Sequence, residues 1–286
     1  MVIGFLSVIV PVYHDWERLQ LCLDALGRQE LKKDQFEIIV VNNDPDDVRP
    51  SFLKCPENCL MINEQKPGSY AARNAGVGVA RGEILAFTDA DCIPDDDWLL
   101  SIVSHFRAEE GILVGRVEMF SVLRAGKYNF AESYDYIFGI NQDLYARKSV
   151  GATANLAVSR AVFYNVGQFD SSLFSGGDVD FCSRAKRKGI GFKYSDSTRV
   201  FHPLRFSISE LTIKAKRLAS GKVKSNRVKG LLIAISPPVI RLKILFFDKK
   251  APANVKIKAF FLIFYLKFHQ VISAVKTFFG DYGERR

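Results

Sequence analysis

The chain is poor in the features that mark specialised protein classes. It has five cysteines, Cys22, Cys55, Cys59, Cys92 and Cys182, an odd number without regular spacing. That excludes a disulfide framework, and Cys55 and Cys59, four apart with no second pair, do not make a zinc knuckle. Scattered cysteines with no export signal fit a reducing cytoplasm. The opening MVIGFLSVIVPVY is apolar but lacks a basic flank and a small-residue cleavage site, so it reads as a buried strand rather than a signal peptide. There is no internal repeat, no low-complexity linker and no uncharged apolar run of about 20 residues. Hydrophobic residues make up 48% of the 286, which excludes disorder for most of the chain.

Acidic residues are scarce in one region only. Residues 205–286 carry 18 Lys/Arg against 4 Asp/Glu, whereas residues 1–204 carry 22 against 27. The net charge of +9 therefore belongs to the C-terminal part. Such a segment can meet nucleic acid, anionic lipid or a phosphorylated substrate.

What is present in the first two thirds is an alternation of strands and helices. Leu6–Val10, Phe36–Val41, Leu60–Asn63 and Glu83–Thr88 are apolar runs of strand length, and Asp15–Gln29 and Ser69–Ala80 have helical spacing or composition. This order predicts an α/β doubly wound sheet. Further strands are expected at Leu113–Phe120, Ala154–Val158 and Phe192–Phe201, a basic helix over Ser175–Gly189, and a helix with loops over Asn129–Tyr145. Ligands of such sheets bind beyond the carboxyl ends of the strands. Three polar clusters fall there: Pro11–His14, Asn42–Asp44 and Asp89–Asp91. Asp89 and Asp91, directly after an apolar strand, can reach one divalent cation together, and Mg²⁺ or Mn²⁺ would then bridge the diphosphate oxygens of a ligand. The alternative is a solvated acidic turn, since Asp95, Asp96 and Asp97 follow.

The segments SVIVPVYHDWERLQLCLDALGRQ, FEIIVVNND, PGSYAARNAGVGVARGEILAFTDADC, GATANLAVSR, VGQFDSSLFSGGDVDFCSRAKRKG and RVFHPLR run in order from Leu6 to Arg205. In these the chain resembles the inverting family 2 nucleotide-sugar glycosyltransferases. The resemblance implies a GT-A fold, a Rossmann-like, mostly parallel sheet flanked by helices, over residues 1–205. Residues 1–110 would bind the nucleotide sugar and 111–205 the acceptor. It implies transfer of a hexosyl unit from a nucleotide-diphosphate sugar to an acceptor hydroxyl, with inversion. Asp91 would coordinate the metal, and Asp89 would sit near ribose and metal. Pro11 and Tyr13 would line the nucleotide pocket. The family's acidic pair after the second strand is replaced by Asn42 and Asn43, followed by Asp44. Asn43 could still read a base, since an amide offers both donor and acceptor, or the two could only shape a turn. Arg73 and Asn74, with Lys66 nearby, would serve the donor phosphates at a helix N-terminus. Asp178 aligns with the family's general base, although the usual preceding Glu is Gly177. Asp180 is the second candidate, and a carboxylate there could also be a helix cap. Arg184 could contact phosphate or hold Asp180. His202 matches an extra metal ligand, which would favour Mn²⁺ somewhat over Mg²⁺.

A nucleotidyltransferase of similar fold would carry a Gly-rich loop near the N-terminus, and Pro11-Val12-Tyr13-His14-Asp15 is not one. Binding of nucleic acid by a non-catalytic protein is suggested by the pI near 9.3. Against it, the basic residues stand among apolar runs rather than stacking aromatics. Residues 206–286 are expected to be helical and basic. Gly230–Phe247 is interrupted by Pro237-Pro238, and Lys256–Phe279 is rich in Phe, Leu and Ile. Helices lying in the membrane interface fit this pattern. They would put the protein peripherally on the inner face of the cell membrane, with a glycan or lipid-linked acceptor for surface polysaccharide. Packing on the catalytic region and true spanning are the alternatives.

Overall fold

Strands β1 (Leu6–Val12) and β2 (Phe36–Asn42) are almost wholly buried, as their unbroken aliphatic sequences require. They pair in parallel, with Leu6 opposite Phe36 and Val12 opposite Asn42. The computed structural model describes residues 4–121, 127–173 and 175–280. After β1 come α1 (Trp16–Gly27), β2, β3 (Cys59–Asn63), α2 (Ser69–Val79), β4 (Ile84–Thr88), the short β5 (Ile93–Pro94) and α3 (Trp98–Phe106). There follow β6 (Ile112–Phe120), α4 (Phe130–Phe138), α5 (Gln142–Ala146), β7 (Asn155–Ser159), α6 (Arg160–Val166), α7 (Gly177–Arg187) and β8 (Phe192–Pro203). The chain continues through α8 (Ile208–Ser225), α9 (Arg227–Ile235), α10 (Val239–Phe247) and α11 (Ala253–Phe278).

The described strands form one sheet in the order β3-β2-β1-β4-β7-β6-β8-β5. The expected α/β architecture is present. β3, β2, β1 and β4 pair in parallel, whereas β7 runs antiparallel to both β4 and β6, and β5 antiparallel to β8. Helix α3 was not foreseen. It follows Asp95–Asp97, which read as an acidic loop, and it buries Trp98, Leu99, Ile102 and Val103. The segment over Asn129–Tyr145 resolves into α4 and α5.

Two contacts set the geometry at the start of β4. A Cβ on Gly82 would lie 2.4 Å from the Ser7 amide nitrogen, so only glycine lets the chain pass there. The Gly82 N–H donates to Ser7 Oγ at 2.8 Å, and Ser7 Oγ donates to the buried Glu37 carboxylate at 2.7 Å. In the β7-β6-β8 half, buried Asn155 is the polar pin. It accepts from Trp98 Nε1 (3.0 Å) and donates to the carbonyls of Arg116 and Thr198 (both 2.8 Å), joining α3, β6, β7 and β8.

The residues group into two compact units, Met1–Glu118 with Ile140–His202, and Met119–Gly139 with Pro203–Arg286. In the second, α11 and α8 pack with α4 around Tyr134, Leu211, Ala215, Leu262, Ile263 and Leu266. Asp135, 1% exposed, is neutralised by the Arg205 guanidinium at 3.1 Å. The Pro237-Pro238 pair separates α9 from α10, which meet at a 48° bend. Helix α11 is long and apolar enough to cross a membrane, with mean hydropathy 1.3 and 28% of that window buried. Ile257, Phe261, Phe264, Phe268, Ile272 and Val275 are exposed along it at helical spacing, forming one apolar stripe.

Replacing Asn155 by leucine strands the Trp98 N–H and two carbonyls in the core. The expected cost is about 2–4 kcal/mol, read as a lower urea midpoint at unchanged slope. A wild-type midpoint would show the pin to be dispensable.

Candidate functional site

β4 delivers Asp89 just beyond its carboxyl end, where the chain turns at once: the Cys92 N–H donates to the Asp89 carbonyl at 3.0 Å. The turn brings Asp91 back beside Asp89. β5 then pairs with β8, Ile93 opposite Phe201, and this register sets His202 next to Asp91. His202 Nε2 lies 3.6 Å from Asp91 Oδ1, and the imidazole is 3% exposed. One ligand atom each from Asp89, Asp91, His202 and Cys92 lies within 4.8 Å of the others. Two carboxylates and an imidazole suit a borderline-hard divalent cation such as Mn²⁺. The Cys92 thiol was not anticipated. Burial, reinforced by the charges of Asp91 and Asp89, pushes its pKa well above the usual range.

Arg73, on α2, is only 3% exposed and its guanidinium pairs with Asp89 Oδ1. Its Nε is buried without a hydrogen-bond partner among the described residues. A buried guanidinium donor without a partner is costly, and it marks the place where an anionic ligand would complete the set. Arg18, on α1, reaches to 3.8 Å of Asp91 Oδ2 and was also not foreseen. One turn before Arg73, the Tyr70 hydroxyl donates to Asp178 Oδ1 at 3.2 Å. Asp178 stands in the first turn of α7. Asp89, Asp91, His202, Arg73, Tyr70 and Asp178 are thus linked by successive contacts within the first unit.

Other expected residues are engaged elsewhere. Asn43 donates to the carbonyls of Glu64 (3.1 Å) and Lys66 (2.8 Å) and accepts from the Gly68 N–H (2.7 Å). Its amide is thus engaged by the loop before α2 and holds that loop in place. Asn42 shapes the turn as well, donating to the Asp47 carbonyl at 3.0 Å. Asp44 accepts from His14 at 2.8 Å. Asn74 pairs both ways with the Phe169 backbone, at 2.8 and 3.1 Å, and so clamps α2 to the loop before α7. Arg184 donates to the carbonyls of Val166, Gly167 and Gln168 and to Asp180 Oδ2 at 2.8 Å. It closes the end of α6 and holds Asp180, which leaves it no donor fork for phosphate. Lys66 Nζ meets Ser171 Oγ at 2.6 Å. Pro11 lies in β1 beside Val41, and Tyr13 is 58% exposed just beyond.

The sequence profile of glycosyl transferase family 2 matches residues 7–167. The chain belongs to this family. It is 34% identical to the glycosyltransferase AglE of Haloferax volcanii over 226 residues, which cover 77% of this chain and 73% of AglE. The fold is similar to that of the mannosyltransferase PcManGT from Pyrobaculum calidifontis, solved with GDP-Man and Mn²⁺. The TM-score is 0.62 at 16% identity, covering 98% of this chain and 88% of that one. It is also similar to S. aureus TarS 1–349 in complex with UDP, with a TM-score of 0.52 at 15% identity, covering 96% and 90%. The GT-A fold expected from the sequence is therefore present, and the enzyme is a glycosyltransferase.

Asn43→Asp would introduce the acidic type usual in the family but would set a carboxylate against the Glu64 and Lys66 carbonyls. We expect a loss of about 2–3 kcal/mol in stability, measured by urea denaturation. An unchanged midpoint with weakened nucleotide binding would instead assign Asn43 to the base.

Proposed function

We propose that this glycosyltransferase moves a hexosyl unit from a nucleotide-diphosphate sugar to an acceptor hydroxyl, with inversion at the anomeric carbon and with Mn²⁺ or Mg²⁺ as cofactor. The observation that carries the reading is the meeting of Asp89, Asp91 and His202 within 4.8 Å, beside a buried Arg73 whose Nε lacks a partner among the described residues. That PcManGT was solved with GDP-Man and Mn²⁺, and TarS with UDP, supports a nucleoside-diphosphate donor.

Asp91, Asp89 and His202 would hold the cation, which supplies positive charge to the departing diphosphate. Arg73 adds a fixed, dry cation on the same side and orients Asp89. Asp178 takes the proton of the acceptor hydroxyl while the acceptor oxygen bonds to the anomeric carbon. The bond from that carbon to the diphosphate oxygen breaks, and its electron pair leaves on the diphosphate. One base facing one leaving group requires inversion. Asp180, held by Arg184, supports the helix that carries Asp178.

The helical C-terminal unit we assign to the cytoplasmic face of the membrane, and the acceptor to a lipid-linked glycan of surface polysaccharide synthesis. The apolar stripe of α11 and the 18 Lys/Arg against 4 Asp/Glu in residues 205–286 support an interfacial position on anionic lipid.

With UDP-, GDP- and dTDP-sugars and Mn²⁺ or Mg²⁺, nucleotide release is expected from one donor. EDTA or Asp91→Ala should abolish it, and Asp178→Asn should lower transfer about 10²–10⁴-fold. Release that survives both EDTA and Asp91→Ala would contradict the metal role. The full chain is expected to float with vesicles containing anionic lipid, and a triple Phe261→Ser, Phe264→Ser, Phe268→Ser variant to stay in the soluble fraction. Equal flotation of both would remove the stripe from membrane binding.

A further inference from the structure

Gly177 stands where the family pattern has an acidic residue, and its surroundings give the reason. A Cβ at position 177 would lie 2.7 Å from both Cδ2 and Cε2 of Tyr70 and 2.9 Å from its Cζ. That ring is 6% exposed and packs on Phe169 at a centroid distance of 5.7 Å, so it has little freedom to retreat. Tyr70 thus fills the space that a larger residue at 177 would need. Its hydroxyl donates to Asp178 Oδ1 at 3.2 Å, and the Val179 N–H donates to the same oxygen at 2.9 Å. Among the described residues no hydrogen bond reaches Asp178 Oδ2. Burial first, and then the charge of Asp178, push the Tyr70 phenol up to about 12, so at working pH it is a neutral donor. The Arg73 guanidinium carbon lies 5.7 Å from the Tyr70 ring centroid, and Arg73 pairs with Asp89.

We infer that Tyr70 is a positioning residue for the general base: in the room left by Gly177, its hydroxyl fixes Asp178 Oδ1 and leaves Oδ2 to receive the acceptor proton. The inference rests on the assignment of Asp178 as that base. A carboxylate that takes a proton during attack must be ionised and correctly aimed. A donor held on one oxygen supplies both, because it favours the charged form and stops rotation of the carboxyl group. Tyr70 also touches Arg73, so one ring supports the base on one side and the donor-side cation on the other. No acidic residue at 177 is needed for that, and none could fit while the ring is there.

The test is steady-state transfer by Tyr70→Phe, Gly177→Ala, Asp178→Asn and the Tyr70→Phe/Asp178→Asn double variant, all as full chains. Tyr70→Phe keeps the ring and removes one oxygen, so thermal unfolding should stay near wild type. Its kcat should fall roughly tenfold with the donor KM unchanged. Gly177→Ala should lower kcat as well by displacing the ring. The double variant should be no slower than Asp178→Asn alone, because the hydroxyl acts only through that carboxylate. Wild-type kcat in Tyr70→Phe together with loss of transfer in Asp178→Asn would overturn the role of Tyr70 and leave the base assignment intact. A loss in Tyr70→Phe that persists undiminished in the Asp178→Asn background would overturn it too. Wild-type transfer by Asp178→Asn would overturn the base assignment, and the inference with it.

Discussion

A guanidinium that is nearly shut off from water cannot stay there without a counter-charge, and the ion pair between Arg73 and Asp89 answers that requirement. The pair ties α2 to the end of β4 and fixes the first carboxylate of the Asp89-Ala90-Asp91 turn. The antiparallel β5–β8 contact then brings His202 to Asp91 from a distant part of the sequence. Because Tyr70 sits one turn before Arg73 on the same helix, the pair that orients Asp89 also sets the position of the ring against Asp178. Helix α2, the turn after β4, the end of β8 and the start of α7 thereby converge on one small volume.

Around that volume, polar side chains are used to hold loops. Asn43 saturates three backbone groups before α2, Asn74 takes both backbone groups of Phe169, and Arg184 closes the carbonyls after α6. Loops at the carboxyl ends of strands have few internal backbone bonds, and buried groups there need side-chain partners. Residues that look like ligand contacts by type are here engaged in holding the loops of the first unit. Such support restricts a catalytic group to the narrow range of positions that transfer demands.

These particulars explain what could be read from sequence. Strands β1, β2 and β4 were legible because burial on both faces leaves an unbroken aliphatic run, and the break between α9 and α10 was legible because Pro237-Pro238 cannot continue a helix. The meeting of Asp89, Asp91 and His202 was legible because residue type at a strand end nearly fixes location. Helix α3 was hidden behind the acidic residues that precede it. For Asn43 and Arg184 two roles stayed open and for Asn74 the clamp on Phe169 was not legible, since type gives hydrogen-bonding capacity and not the direction in which it is used. Tyr70 was invisible for a further reason: its meaning depends on Gly177 and Asp178, and its bond to Asp178 spans 108 positions.

The central claim is that Asp89, Asp91, His202 and Arg73 form one site for a nucleoside diphosphate together with a divalent cation. Calorimetric titration of UDP and GDP, with and without Mn²⁺, tests it most directly. For one of the two nucleotides, wild-type affinity should rise at least about tenfold with Mn²⁺, and Asp91→Ala should lose that gain while remaining folded. Equal affinity with and without Mn²⁺, or a gain retained by Asp91→Ala, would contradict it.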